Sequence, residues 1–200
     1  MKRLIILLFI ITSISVVSKA QTFYSDDSEA TQAHIHYIQS FLDAYKQAYA
    51  KQNLPFIEMV FSEDAIIITE TMELLKSTTK PGGRIKKDRK YRTMVEDKKQ
   101  YLERLKSIFK KGPILLDMAD VKIQQHNRRP YLFGVNFTQA WYSDSQNELE
   151  EKYPGYVFLM IDFKNDVDNP IIHVKTWQPV ANVESKELDV YYLYDFQLFD

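Results

Sequence analysis

Ile38–Thr69 reads IQSFLDAYKQAYAKQNLPFIEMVFSEDAIIIT. Ile38, Phe41, Leu42, Tyr45, Ala48 and Tyr49 recur at helical spacing, while Gln39, Asp43, Lys46 and Gln47 fall elsewhere around the turn. That spacing predicts a surface helix with one apolar stripe. Asn53 is placed to end it, because Asn tolerates the left-handed conformation that closes helices. Pro55 suits the first turn of a second helix, whose inward residues are Ile57, Val60 and Phe61. Ser62-Glu63-Asp64 then reads as a turn, and Ala65–Thr69 as a strand rich in β-branched residues.

Downstream, Glu70–Leu75 can continue that strand. Lys76–Arg92 carries Lys76, Lys80, Arg84, Lys86, Lys87, Arg89, Lys90 and Arg92 against Asp88 alone, with a Pro81-Gly82-Gly83 turn signal inside it. Its plain reading is a solvated loop joining two strands. Its functional reading is a contact with an anionic partner through Arg84, Lys86, Lys87, Arg89 and Lys90. Tyr91 is the only aromatic there, which argues against base stacking and so against nucleic acid. Asp97 can cap a helix over Lys98–Lys110, with Tyr101, Leu102, Leu105, Ile108 and Phe109 as its stripe and Gly112-Pro113 as its stop. Ile114–Gln125, Tyr131–Tyr142, Tyr156–Phe163 and Ile171–Gln178 are strand-like, and His126–Pro130, Ser143–Gly155 and Lys164–Pro170 are polar connections between them. Short loops between successive strands favour an antiparallel meander, so three helices followed by a meander predict an α+β domain.

This order resembles the nuclear transport factor 2-like superfamily, with its ketosteroid isomerase-like and SnoaL-like members. Members open with a helix, a "DL" break, a helix ending "LF" and a "DDA" turn. Asn53-Leu54, Val60-Phe61 and Glu63-Asp64-Ala65 stand in those places here. Tyr156–Asn165, Pro170–Pro179 and Phe133-Gly134-Val135 with Gln139 and Trp141 resemble the closing strands of an uncharacterised exported branch. The resemblance covers roughly Thr31–Val180. It implies a cone-shaped, curved antiparallel or mixed sheet wrapped around the long N-terminal helix, with a pocket at its open end and pairing of two copies through the sheet.

Met1–Ala20 has the form of a secretory signal peptide: Lys2 and Arg3, an apolar run, then small residues at Ser18 and Ala20. The run is shorter than the ~20 residues of a membrane span. The expectation is a periplasmic or secreted protein, cleaved near Ala20, with no transmembrane segment thereafter. Residues 21–30 read as a polar lead-in, 31–180 as the domain, and 181–200 as an aromatic extension packed on it, with a dimer contact or a plug over the pocket mouth as alternatives. With no cysteine there is no disulfide, thiol nucleophile or thiolate metal site. The 26 basic and 27 acidic residues nearly balance, which gives no global drive toward nucleic acid or an anionic membrane.

The isomerase branch uses a Tyr on the first helix, a carboxylate base ending the first strand and a protonated Asp on a later strand. By that resemblance the Tyr falls on Tyr45, the base position on Thr69 and the later Asp near Leu159. A Tyr without a base polarises a carbonyl but moves no proton from carbon. Tyr45 also has a plain reading, as a core tyrosine with its hydroxyl satisfied. Candidate lining residues of the hollow are Tyr45, Tyr49, Thr69, Leu159 and Trp177. Alternation puts His173, Lys175 and Trp177 on one face of the last strand and Ile172, Val174 and Thr176 on the other. The apolar set looks like core, which turns His173 outward. Turned inward, His173 could meet Asp162 as an acid–base pair. His34, His36, His126 and His173 lack metal-ligand spacing, so no metal or other cofactor is expected. The reading is an exported, non-catalytic binding domain for a small apolar ligand or a protein partner. The alternatives are a lyase, isomerase or cyclase using Tyr45 with Asp162 and His173, and an envelope assembly subunit; a homodimer fits any of the three.

Overall fold

A computed structural model describes residues 21–22, 29–74, 89–145, 148–166 and 168–180. The expected stripe lies along α1 (Glu29–Ala50), where Ile38, Phe41, Leu42, Tyr45, Ala48 and Tyr49 are all buried. Helix α1 begins before the expected lead-in has ended, and Gln21–Thr22 form a short strand, β1. The helix closes through Gln52, whose φ of 55° takes the left-handed turn expected of Asn53. Asn53 instead caps α2 (Leu54–Val60), its side chain accepting from the Phe56 N–H. An N-cap oxygen satisfies an otherwise orphaned helix donor, and that outcompetes a closing role one residue earlier.

Strand β2 (Phe61–Leu74) starts directly after α2. The expected turn at Ser62-Glu63-Asp64 is a register break inside it, between Phe61 and Ile66. β3 (Arg89–Asp97) returns antiparallel, and Asp97 forms a reciprocal capping box with Gln100 at the start of α3 (Lys98–Phe109). Arg84, Lys86 and Lys87 lie outside the described residues; Arg89 and Lys90 lie in β3.

The remaining strands are β4 (Ile114–Gln125), β5 (Leu132–Ser145), β6 (Glu148–Asp162) and β7 (Ile171–Pro179). Ser143–Gly155, expected as a loop, extends β5 and β6 into a long hairpin. Polar residues fit a strand whose faces need not both be buried. The sheet order is β1-β4-β5-β6-β7-β2-β3. β4 to β7 form the expected antiparallel meander, while β7 pairs with β2 in parallel, so the sheet is mixed. This is an α+β fold in which a curved sheet packs against α1. Phe133, Val135, Phe137, Val157, Leu159, Ile161 and Ile67 meet the helix stripe in one core. Residues 181–200 lie outside the described residues.

One irregularity decides which residues face that core. Met160 pairs with Val174, but Ile161 pairs with Ile172, leaving His173 as the extra residue of a bulge. Opposite it, β2 also skips from Phe61 to Ile66. A bulge shifts side-chain parity by one residue. Ile172, Lys175 and Trp177 therefore face inward, against Ile161, Leu159 and Val157, while Val174 and Thr176 face outward. The expectation that Ile172 and Val174 share the core face is corrected.

Trp177 lies over Gly155, and a Cβ at Gly155 would overlap its indole. Gly155→Ala should displace the ring at a cost of about 1–3 kcal/mol. Thermal melting with tryptophan emission as the probe should show both a lower midpoint and altered emission before unfolding.

Candidate functional site

Three tyrosines converge on one lysine inside the core. Tyr45 and Tyr49, one turn apart on α1, and Tyr101, on the first turn of α3, are all buried. Lys175, brought inward by the bulge, is 6% exposed. Its Nζ donates to Tyr101 Oη at 2.7 Å, to Tyr45 Oη at 2.8 Å and to Tyr49 Oη at 3.3 Å. Tyr45 and Tyr49 hydroxyls lie 2.9 Å apart, and Tyr49 also bonds Tyr101. The ammonium sits 4.9 Å from the Tyr101 ring centroid, with the Tyr45 and Tyr49 rings at 5.5 and 5.4 Å. A buried charge needs such saturation, because desolvation otherwise costs several kcal/mol.

The phenols respond unequally. Burial pushes Tyr45 and Tyr49 well above the ordinary tyrosine range, and the charge on Tyr101 adds to that. Burial also pushes Tyr101 upward, but the charge and hydrogen bond of Lys175, helped by Tyr49 and Arg104, leave it below the ordinary value. Arg104 lies 5.3 Å from the Tyr101 ring centroid. Its guanidinium is gripped from the other side by buried Glu96, with Nε to Oε1 at 2.8 Å and Nη2 to Oε2 at 2.5 Å. Burial works against the Arg104 charge, yet this bidentate pairing raises its pKa above the usual value.

Farther along the inner face lies a second group. Gln139 is 2% exposed, and it pairs in register with Gly155 on one side and Met118 on the other. Trp141 follows two residues later on the same face, opposite Leu116, and Trp177 covers Gly155. The Gln139 Oε1 and both indole Nε1 atoms are buried without a hydrogen-bond partner among the described residues. Native interiors rarely leave such atoms unpaired.

Of the residues singled out from sequence, Tyr45, Tyr49 and Leu159 are buried in the core, and Thr69 pairs with inward-facing Trp177. Asp162 and His173 do meet, Oδ2 to Nε2 at 3.2 Å. They do so away from Tyr45: Asp162 alternates out of the core between buried Ile161 and Phe163. The pair borders a groove of about 510 Å³ with Ser62, Glu63, Asn165 and Asn169. Sequence reading missed Lys175 as an inward residue and treated Tyr101 as one more apolar stripe position. The available signal was that three stripe tyrosines need polar partners. Among the described residues no group of His, Asp and Glu is arranged to hold a metal ion, and no helix is long and apolar enough to cross a membrane.

The chain has the nuclear transport factor 2-like fold. It is similar to a putative scytalone dehydratase from Novosphingobium aromaticivorans (10% identity, 76% of this chain and 89% of that one, TM-score 0.55). It is also similar to a nuclear transport factor 2-like protein of unknown function from Pseudomonas putida (10%, 74% and 87%, 0.51). A third likeness is the β subunit of a putative aromatic-ring-hydroxylating dioxygenase from Novosphingobium aromaticivorans (14%, 76% and 92%, 0.53). The chain spans 39% of the length of Bd1075 from Bdellovibrio bacteriovorus, which it resembles at a TM-score of 0.48. No protein-family model and no curated protein matches the sequence. Proteins described in such different terms share this architecture, so function has to be argued from the residues.

The cluster predicts an asymmetric pH response. Tyr45 and Tyr49, raised in the folded chain, stabilise it fully below about pH 10 and lose that contribution as pH climbs further, where the unfolded chain ionises first. Lys175→Met should cost about 1–3 kcal/mol and lift Tyr101 above its present value. Denaturant unfolding and an alkaline absorbance titration check the two effects.

Proposed function

We propose that the protein is an exported binding domain for a small, flat, largely apolar molecule, seated at the tryptophan end of the inner sheet face. The observation that carries this is a trio of polar atoms buried on the inner sheet face without a partner among the described residues: two indole N–H donors and one amide oxygen. A few convergent polar groups of this kind are the usual chemistry of a small-molecule site. The trio also defines the complement. A ligand needs acceptors for Trp141 and Trp177 and a donor for Gln139. The signal peptide pattern of Met1–Ala20 supports export.

Catalysis by Tyr45 with Asp162 and His173 is less well supported. That reading needs the three side chains in a common pocket, and the carboxylate alternates away from the core that holds Tyr45. The three N–H donors of Lys175 are already directed at phenols.

The chain contains two tryptophans, Trp141 and Trp177, both at the proposed site. Titration with planar aromatic alcohols and ketones should therefore quench or shift the intrinsic emission directly, and Gln139→Leu should weaken that binding about 2- to 12-fold, the net worth of one hydrogen bond. Emission unchanged across such compounds would remove the assignment.

A second observation supports pairing of two copies. On the outer face Val95 is 64% exposed and Ile66 is 48% exposed. Ile66 is in register with Val174, and Val174 with Met160, which makes an apolar row across three strands. Solvent-facing apolar rows of this kind mark protein contacts. Light scattering should report a dimer that Val95→Lys converts to monomer; a monomeric parent chain would end this reading.

A further inference from the structure

On one side the sheet ends in a strand with an open edge. β3 is last in the strand order and pairs with β2 alone among the described strands. Its outer edge presents main-chain N–H and C=O groups to which a further strand can add. Val95 on this strand is the most exposed large apolar side chain among the described residues, and Thr93 and Asp97 are exposed on either side of it.

Basic residues on an edge normally guard it against a second strand. Here the guarding strand carries its own complement. β3 reads Arg89-Lys90-Tyr91-Arg92-Thr93-Met94-Val95-Glu96-Asp97, basic in its first half and acidic at its end. Laid antiparallel against a second copy about Thr93, Arg89 stands opposite Asp97, Lys90 opposite Glu96, Tyr91 opposite Val95 and Arg92 opposite Met94. Thr93 stands opposite itself. Opposite charges, an aromatic with a β-branched residue, and Thr with Thr are favourable cross-strand pairs in antiparallel sheets. Glu96 is already gripped by Arg104, so the charge match rests mainly on Arg89 with Asp97.

Other registers fail on charge. A two-fold axis perpendicular to the sheet keeps outer face beside outer face, which allows only shifts by an even number of residues. A shift by two in one direction sets Arg92 against its own copy. A shift by two in the other direction sets Arg89 and Lys90 against Lys99 and Lys98 of α3.

We propose that two copies of this chain join edge to edge along β3 in this register, making one continuous sheet with Thr93 on the two-fold axis. This rests on the pairing of two copies proposed above and defines where the seam runs: Val95, the most exposed member of that apolar row, lies on it and meets Tyr91 of the second copy. Main-chain hydrogen bonds hold the seam, and the charge pattern sets its direction and register.

The chain has no cysteine, so a single introduced thiol reports the register directly. Opposed Cα atoms of an antiparallel pair lie about 4.5–5.5 Å apart, within reach of a disulfide. Val95 is two residues from the axis, so its two copies stand about 14 Å apart. Mild oxidation of purified Thr93→Cys with copper phenanthroline should give a covalent dimer on a non-reducing gel. Val95→Cys should stay uncoupled, and the double variant Tyr91→Cys/Val95→Cys should cross-link. Equal coupling of Val95→Cys and Thr93→Cys overturns the register. Light scattering of the unsubstituted chain separates this seam from pairing in general. A dimer whose Thr93→Cys and double variants both fail to couple overturns the seam and leaves pairing through the outer face standing. A monomer overturns both, and leaves the edge to solvent or to another extended chain.

Discussion

A lysine ammonium inside a protein core imposes a demand that few arrangements meet. Lys175 has to be given acceptors in a place made of Phe, Ile, Leu and Val, and three phenols from two helices supply them. The consequence is architectural. Tyr45 and Tyr49 belong to α1, Tyr101 to α3 and Lys175 to β7, so a single polar knot ties both long helices to the sheet. Apolar packing alone constrains position loosely, because volume-conserving swaps are tolerated. Hydrogen bonds between fully buried partners fix register and rotation, since any slip leaves a buried polar atom unpaired.

The knot depends in turn on a defect in the sheet. Without the extra residue at His173, strict alternation would turn Lys175 to the outer face along with the polar side of the strand. The same level of β2 carries the break at Ser62-Glu63-Asp64. Two adjacent strands thus bend together, and the bend does two things: it curves the sheet over α1, and it inverts the facing of everything from Val174 onward. Trp177 arrives over Gly155 by the same inversion, so Lys175 and Trp177 owe their facing to one structural cause.

This explains which parts of the molecule could be read from sequence. The α1 stripe was legible because six apolar residues at helical spacing leave one way to bury them. The Asp97 cap was legible because capping is local chemistry. The β4–β7 meander followed from short connections. The facing of β7 was not legible, because a bulge is a relation between two strands, and a one-residue slip reverses every later side chain. Ser62-Glu63-Asp64 did register as a break, but a turn and a bulge have the same composition. The long β5–β6 hairpin was missed for a related reason: polarity was read as loop where it marks strand.

The site illustrates how one fold can carry different chemistry in its interior. In place of the carboxylate base and protonated acid of the isomerase resemblance, this chain has Thr69 and Leu159, neither of which exchanges protons. The ionisable groups of the described core around Tyr45 are phenols and an amine, contributed by α1, α3 and β7. A carboxylate would be a poor exchange at that spot, since beside Lys175 it would form a permanent ion pair and keep its charge at any working pH. A phenol close in acidity to an ammonium is different. The Lys175 charge and hydrogen bond hold Tyr101 below the ordinary tyrosine value. Burial instead raises Tyr45 and Tyr49, so the phenols of one hydrogen-bonded cluster are driven in opposite directions by their surroundings.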